Sequence, residues 1–126
     1  MKLAMGCDEA AYDLKMIIKK HLLAAGHEIT DLGCHDAAAV LYPNIAFAVA
    51  QEITEGRVQR AILLCGTGIG MAISANKVIG IRAAQCHDTY SAERASRSND
   101  AQIITIGARV VGPELAKAIV DKFLVS

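Results

Sequence analysis

Residues 60–65 read Arg-Ala-Ile-Leu-Leu-Cys, and residues 66–70 continue as Gly-Thr-Gly-Ile-Gly. An unbroken apolar run closed by a glycine-rich turn predicts a strand covered on both faces, at the centre of a parallel sheet. Toward the N-terminus, Pro43 opens a helix at its first turn, and the helix runs to about residue 55, before Gly56. A loop over 34–42 precedes it, and residues 27–33 alternate as a strand. Residues 11–25 carry helical spacing in Leu14, Ile17, Ile18, His21 and Leu22, which places Lys15, Lys19 and Lys20 on the water face. Gly26 stands where a C′ glycine stops that helix, and residues 2–6 form a short apolar strand ending at Cys7-Asp8. Toward the C-terminus come a helix through about residue 76, a strand over 81–86, a helix over 89–97, a strand over 102–106 and a helix over 113–125. Five strands separated by helices predict a single-domain α/β fold: a doubly wound, Rossmann-like five-stranded parallel sheet with helices on both faces.

The chain has 126 residues, room for one domain. Thirteen Lys+Arg against 13 Asp+Glu leave no net charge, and so no electrostatic footprint for nucleic acid or an anionic membrane. A hydrophobic content of 53% excludes disorder, while 4% aromatics and no Trp predict an aliphatic, Ala-rich core. No apolar run approaches the roughly 20 residues of a membrane span, and no long apolar stretch follows Lys2, as a signal peptide requires. The expectation is a cytoplasmic protein without nucleic-acid or membrane partners. Cys7, Cys34, Cys65 and Cys86 lack Cys-x-x-Cys or finger-like spacing. Most are expected to pack as small hydrophobes, and disulfides are unusual in that compartment.

In such sheets ligands sit at the carboxyl ends of the strands. Here those ends read Cys7-Asp8, Cys34-His35, Cys65-Gly66-Thr67, Cys86-His87-Asp88 and Gly107-Ala108-Arg109. The segment Cys65-Gly66-Thr67-Gly68-Ile69-Gly70 is not a dinucleotide fingerprint, since its spacing is G-x-G-x-G with no ribose-binding acid downstream. It is not a Walker A loop either, and a receiver domain would place an aspartate where Cys65 stands. Three glycines at a strand-to-helix turn can aim backbone N–H groups at an anion or a developing oxyanion. Cys65, just before that nest, then suits proton abstraction next to a carbonyl. A buried strand-end cysteine followed by a tight turn explains the same spacing. Neither metal nor cofactor is implied, because backbone dipoles suffice to hold an oxyanion.

Together with the run from Cys65 to Met71, several segments resemble the ribose-5-phosphate isomerase B / galactose-6-phosphate isomerase family. They are Gly6-Cys7-Asp8, Tyr42-Pro43, Ala75-Asn76-Lys77-Val78, Cys86 through Ala92, Asn99-Asp100-Ala101 and Gly107-Ala108-Arg109-Val110. The resemblance covers nearly the whole chain. It implies a metal-independent aldose–ketose isomerase that works on a small sugar phosphate through a cis-enediolate, with ribose 5-phosphate/ribulose 5-phosphate the first expectation. By the same resemblance Cys65 is the base and Thr67 assists proton transfer at the substrate oxygens. Gly66, Gly68, Ile69 and Gly70 hold the enediolate, Asp8 and Asn99 bind sugar hydroxyls, Arg109 helps bind phosphate and Tyr42 lines the pocket. It also implies a homodimer or homotetramer whose sites are shared between subunits.

The departures lie on the substrate side. Glu9 stands where the family has a phosphate-associated histidine, and would repel phosphate if it points the same way. Leu41 replaces an Asp before Tyr-Pro, Ser98 replaces a histidine held to open the sugar ring, and the family's basic C-terminal tail is not in this sequence. Ser98 suggests a rival substrate. Erythrose or erythrulose 4-phosphate has no free hydroxyl with which to close a five-membered ring, and so needs no ring-opening acid. Glu9 and the missing tail admit a third, an unphosphorylated sugar or a different anion, and a non-catalytic partner of a heteromeric isomerase is the non-enzyme alternative. His21 and His27 read as structural or exposed, Cys7 and Cys86 as packing. His87 lies near a strand end, and Tyr90, Arg94 and Arg97 suit a subunit contact, with Arg97 a candidate to replace lost phosphate charge.

Overall fold

A strand apolar on both faces needs cover on both faces, and the computed structural model, which describes residues 1–36 and 38–126, supplies it. Five parallel strands, β1 (Lys2–Cys7), β2 (Glu28–Asp31), β3 (Arg60–Cys65), β4 (Ala83–Gln85) and β5 (Ile103–Gly107), lie in the order β2-β1-β3-β5-β4. β3 is central: Cys7 of β1 stands opposite its Leu64, and Gly107 of β5 opposite its Cys65. The chain leaves β3 for the edge strand β4 and returns to fill the slot between them with β5.

Side chains alternate between two cores, as a pleated strand requires. Leu3, Met5, Ile62, Leu64, Ile104 and Ile106 pack with α1 (Tyr12–Ala24), α4 (Thr89–Arg97) and α5 (Pro113–Val125). Ala4, Ala61, Leu63, Cys65 and Ile103 pack with α2 (Tyr42–Thr54) and α3 (Ile69–Asn76) on the other face. The doubly wound parallel sheet is therefore the observed fold, and its cores are aliphatic and Ala-rich. α1 closes with the His27 N–H on the Leu22 carbonyl and the Gly26 N–H on that of Leu23, the paired bonds of a helix stopped at a C′ glycine. Two strands are shorter than their patterns suggest, β2 by the residues around Gly33 and β4 by Ile81, Arg82 and Cys86. At the sheet edge the Arg82 N–H goes instead to the Gln102 side chain. No helix among the described residues is long and apolar enough to cross a membrane.

One expectation is overturned. Lys15 does not face water: it is 0% exposed, while Ile17, assigned to the apolar face, is 38% exposed. The buried stripe of α1 is Leu14, Lys15, Ile18 and Leu22. A buried ammonium survives only where partners replace its water, and the end of β2 provides them. Lys15 Nζ donates to Asp31 Oδ1 at 2.7 Å and to the Cys34 carbonyl at 2.5 Å, while Lys19 Nζ reaches Asp31 Oδ2 at 3.2 Å. Burial works to raise the Asp31 pKa, but the hydrogen bonds from Lys15, the Gly33 N–H and Lys19 outweigh it and hold the carboxyl below its usual 3.8. Its contribution to stability is thus full above that value and is lost as pH falls through the lower, folded-state pKa. Substituting Lys15→Met leaves the Asp31 carboxylate to the half-exposed Lys19 and the Gly33 N–H. We expect a loss of about 3 kcal/mol in urea unfolding at pH 7, and a weaker fall of stability below pH 4 than in the wild type.

Candidate active site

Strand order reverses between β1 and β3, and the crevice outside their carboxyl ends is where such sheets bind ligands. Asp8 stands at the end of β1 and Cys65 at the end of β3, tied together by the Asp8 N–H on the Leu64 carbonyl at 3.2 Å. Cys65 is 6% exposed. Its sulfur accepts the Gly68 N–H at 3.0 Å, the polarity that negative charge on sulfur requires. Gly68 can turn its N–H back because it adopts φ +81°, which a side chain would strain, and a Cβ there would stand 3.1 Å from the Ile106 backbone. The Thr67 hydroxyl accepts the Ile69 N–H at 3.2 Å. The N–H groups of Gly68 and Ile69, expected to face an enediolate, thus serve instead the two candidate catalytic side chains, so that sulfur and hydroxyl are both held in place before a ligand arrives.

The other expected residues divide into two groups. Arg109 arrives from the turn after β5, where Ala108 and Arg109 N–H groups bond the Cys65 and Gly66 carbonyls at 2.8 and 3.0 Å. Its guanidinium lies over Gly66, Nη1 being 3.3 Å from where a Cβ would stand. Tyr42, at the start of α2, lays its ring on Gly70, 2.7 Å from the equivalent point. Asp8 accepts the Ala11 N–H at 3.2 Å. Burial raises its carboxyl pKa, opposed by that bond and helped by Glu9, while the charge of Arg109 acts to lower it. Glu9 turns toward the segment after β2 and accepts the Val40 N–H at 3.3 Å.

Ser98 and Asn99 lie elsewhere. They follow α4 and precede β5, whereas Cys65 pairs with the last residue of β5. A strand of about 15 Å separates the two levels. Ser98 Oγ accepts from Arg94 at 3.2 Å, and Asn99 Nδ2 donates to the Arg94 carbonyl at 3.0 Å. Within one chain these two residues do not meet Cys65.

Three supports of the loop have no counterpart in the sequence reading. Thr105 Oγ1 donates to the Gly68 carbonyl at 2.7 Å, Gln85 Nε2 to the Thr67 carbonyl at 2.8 Å, and His87 Nε2 accepts the Gly107 N–H at 2.9 Å. The one readable signal was Thr105, a hydroxyl inside the apolar run of β5. Gly107 itself lies on Thr67, whose carbonyl would be 2.7 Å from any Cβ. Cys7 and Cys86 pack as expected: burial raises both thiols, Cys86 to about 11 with help from Asp88. Among the described residues no three His, Cys, Asp or Glu side chains converge as a metal site.

The chain is similar to known proteins along nearly its whole length. Residues 3–126 match the family described as Ribose/Galactose Isomerase. A protein of Listeria innocua named ribose-5-P isomerase B is 55% identical over 124 residues, covering 98% of this chain and 84% of its own. One of Pectobacterium atrosepticum named D-erythrulose-4-phosphate isomerase is 54% identical over 125 residues, covering 98% and 82%. The crystal structure of a ribose 5-phosphate isomerase from Thermotoga maritima superposes with a TM-score of 0.98 at 43% identity, covering 99% of this chain and 86% of that one.

The glycine loop predicts a contrast in stability. Gly68→Ala forces a side chain into a left-handed backbone against Ile106, and should cost about 1–3 kcal/mol in denaturant unfolding. In Gly66→Ala the new methyl meets only the movable end of Arg109, and the loss should be clearly smaller.

Proposed function

The chain belongs to the ribose/galactose isomerase family and is an aldose–ketose isomerase of a sugar phosphate; we propose that its substrate is a short, acyclic one of the erythrose/erythrulose 4-phosphate type. Ser98 carries this reading. It stands in place of the family's ring-opening histidine, and its hydroxyl is engaged by Arg94. A tetrose esterified at carbon 4 cannot form a furanose and presents an open carbonyl. The name of the Pectobacterium relative supports the same class. Ribose 5-phosphate is the second reading, favoured by the name of the Listeria relative.

In the proposed mechanism Cys65 removes the proton from the carbon beside the carbonyl. The C–H electron pair becomes the double bond of a cis-enediolate, and the carbonyl pair moves onto oxygen. With the Gly68 N–H on sulfur and the Ile69 N–H on the Thr67 hydroxyl, the N–H groups of Gly66 and Gly70 remain for that oxygen. Thr67 carries the proton between the two substrate oxygens, and Cys65 returns its proton to the neighbouring carbon. Asp8 holds a sugar hydroxyl, Arg109 the phosphate, and Tyr42 closes one wall. Ser98 and Asn99 complete the site of another copy, in a homodimer or homotetramer.

Proton NMR in heavy water tests the substrate with ribose 5-phosphate, erythrulose 4-phosphate, galactose 6-phosphate and unphosphorylated ribose. Selective turnover of the four-carbon ester, with deuterium entering the carbon next to the carbonyl, is expected. A preference for ribose 5-phosphate would refute the acyclic argument. Cys65→Ala should lower kcat by about 10²–10⁴ and abolish deuterium entry without changing the fold. Unchanged turnover would remove Cys65 as the base.

A further inference from the structure

Two thiols that the proposed mechanism leaves unused face each other beside the site. Cys7 and Cys34 place their sulfurs 3.7 Å apart, both out of water. Their backbones are paired, the Cys7 N–H on the Gly33 carbonyl at 2.7 Å and the Cys34 N–H on the Cys7 carbonyl at 2.9 Å. Chains paired in this way run about 4.8 Å apart, within the roughly 4.4–6.8 Å between Cα atoms that a disulfide spans. Cys34 is 4% exposed and borders an open groove of about 530 Å³, lined also by Gly33, His35, Val40, Leu41 and Asn44. The ammonium of Lys15 rests on the Cys34 carbonyl. Burial raises the Cys7 thiol, and the charge of Lys15 acts against it.

The geometry points to Cys34 as a site of thiol–disulfide exchange with a low-molecular-weight disulfide, resolved by Cys7 into an intramolecular cross-link that lowers turnover. Cys34 is the entry point because it borders the groove, whereas Cys7 is fully enclosed. The Cys34 thiolate attacks one sulfur of R–S–S–R, forming a mixed disulfide, and the departing thiolate leaves as R–SH with the Cys34 proton. The Cys7 sulfur then attacks the Cys34 sulfur, and the second R–S⁻ leaves with the Cys7 proton. The protein gives up two electrons and two protons, and the disulfide becomes two thiols. Closing the sulfurs from 3.7 Å to about 2.05 Å draws together the residue before Asp8 and the head of the segment that leads to Tyr42. Displacements of that order at a catalytic site cost up to about 10²-fold in rate.

The test incubates the reduced full-length chain with glutathione disulfide, alkylates the remaining thiols under denaturing conditions and maps them by peptide mass. Turnover of the sugar phosphate that the wild type accepts is followed in parallel. The expected product has lost two hydrogens and carries a Cys7–Cys34 peptide. It turns over at least about tenfold more slowly, and dithiothreitol restores it. Cys34→Ala, with Cys34→Ser as the second variant should the first fail to fold, forms no cross-link and keeps its turnover. Alkylatable Cys7 and Cys34 after oxidation would overturn the proposal, as would a cross-link without loss of turnover. So would equal inactivation of Cys34→Ala, which assigns the effect to Cys65. The activity arm rests on the isomerase reading, whereas the mass map does not. A cross-linked chain inert toward every sugar phosphate even when reduced therefore counts against that reading and supports the exchange site.

Discussion

The Gly68 N–H on the Cys65 sulfur is the contact around which the site is arranged. It requires the chain to reverse within three residues of the end of β3, and a backbone at φ +81° achieves that only with glycine. The reversal in turn needs β5 close by, because Thr105 holds the Gly68 carbonyl and Gly107 lies directly on Thr67. Placing β5 rather than β4 beside β3 thus has a chemical consequence. The strand that braces the loop also delivers Arg109 over Gly66, so one neighbour fixes both the position of the sulfur and the charge above it.

A second constraint works at the other side of the crevice. The ion pair of Lys15 with Asp31 joins α1 to the end of β2 and, through the Cys34 carbonyl, to the segment that leads to Tyr42. Such a pair adds little net stability over an apolar replacement of both partners, but breaking it leaves an uncompensated charge. In the observed docking of α1 on the sheet, Asp31 and the Cys34 carbonyl together satisfy the ammonium. Glu9, turned to the Val40 N–H, pins the same segment from the β1 side. The Glu9 carboxylate is thus engaged by backbone while its side chain stays exposed.

One chain brings Cys65, Thr67, the glycine loop and Arg109 together, and places Ser98 and Asn99 at the far end of β5. The division follows from the topology, because residues before a strand and residues after its parallel neighbour lie at opposite strand ends. On the proposed reading, proton transfer is served within one chain, whereas Ser98 and Asn99 serve the site of another copy. On that reading Ser98 brings a hydroxyl to the pocket of the neighbouring copy, where the family resemblance implies an imidazole.

The strand pattern, the helix stops and the carboxyl-end cluster of Asp8, Cys65 and Arg109 were legible in the amino-acid order, because periodicity and glycine placement are local properties of the chain. The family motifs identified the glycine loop for the same reason. Lys15 reads as exposed because a charge is ordinarily solvated; only the arrival of Asp31 and the Cys34 carbonyl, 16 and 19 residues away, makes its burial tolerable. Gln85 and His87 are invisible as supports, and Thr105 shows only as a hydroxyl in an apolar run, because their partners lie 18, 20 and 37 residues away. Which strand lies beside β3 is set by how helices cover a sheet, and no window of the sequence contains it. Elements and chemistry were thus decided locally, whereas strand order, the burial of Lys15 and the bracing of the nest were decided by long-range packing, whose energy depends on neighbours the local sequence does not name.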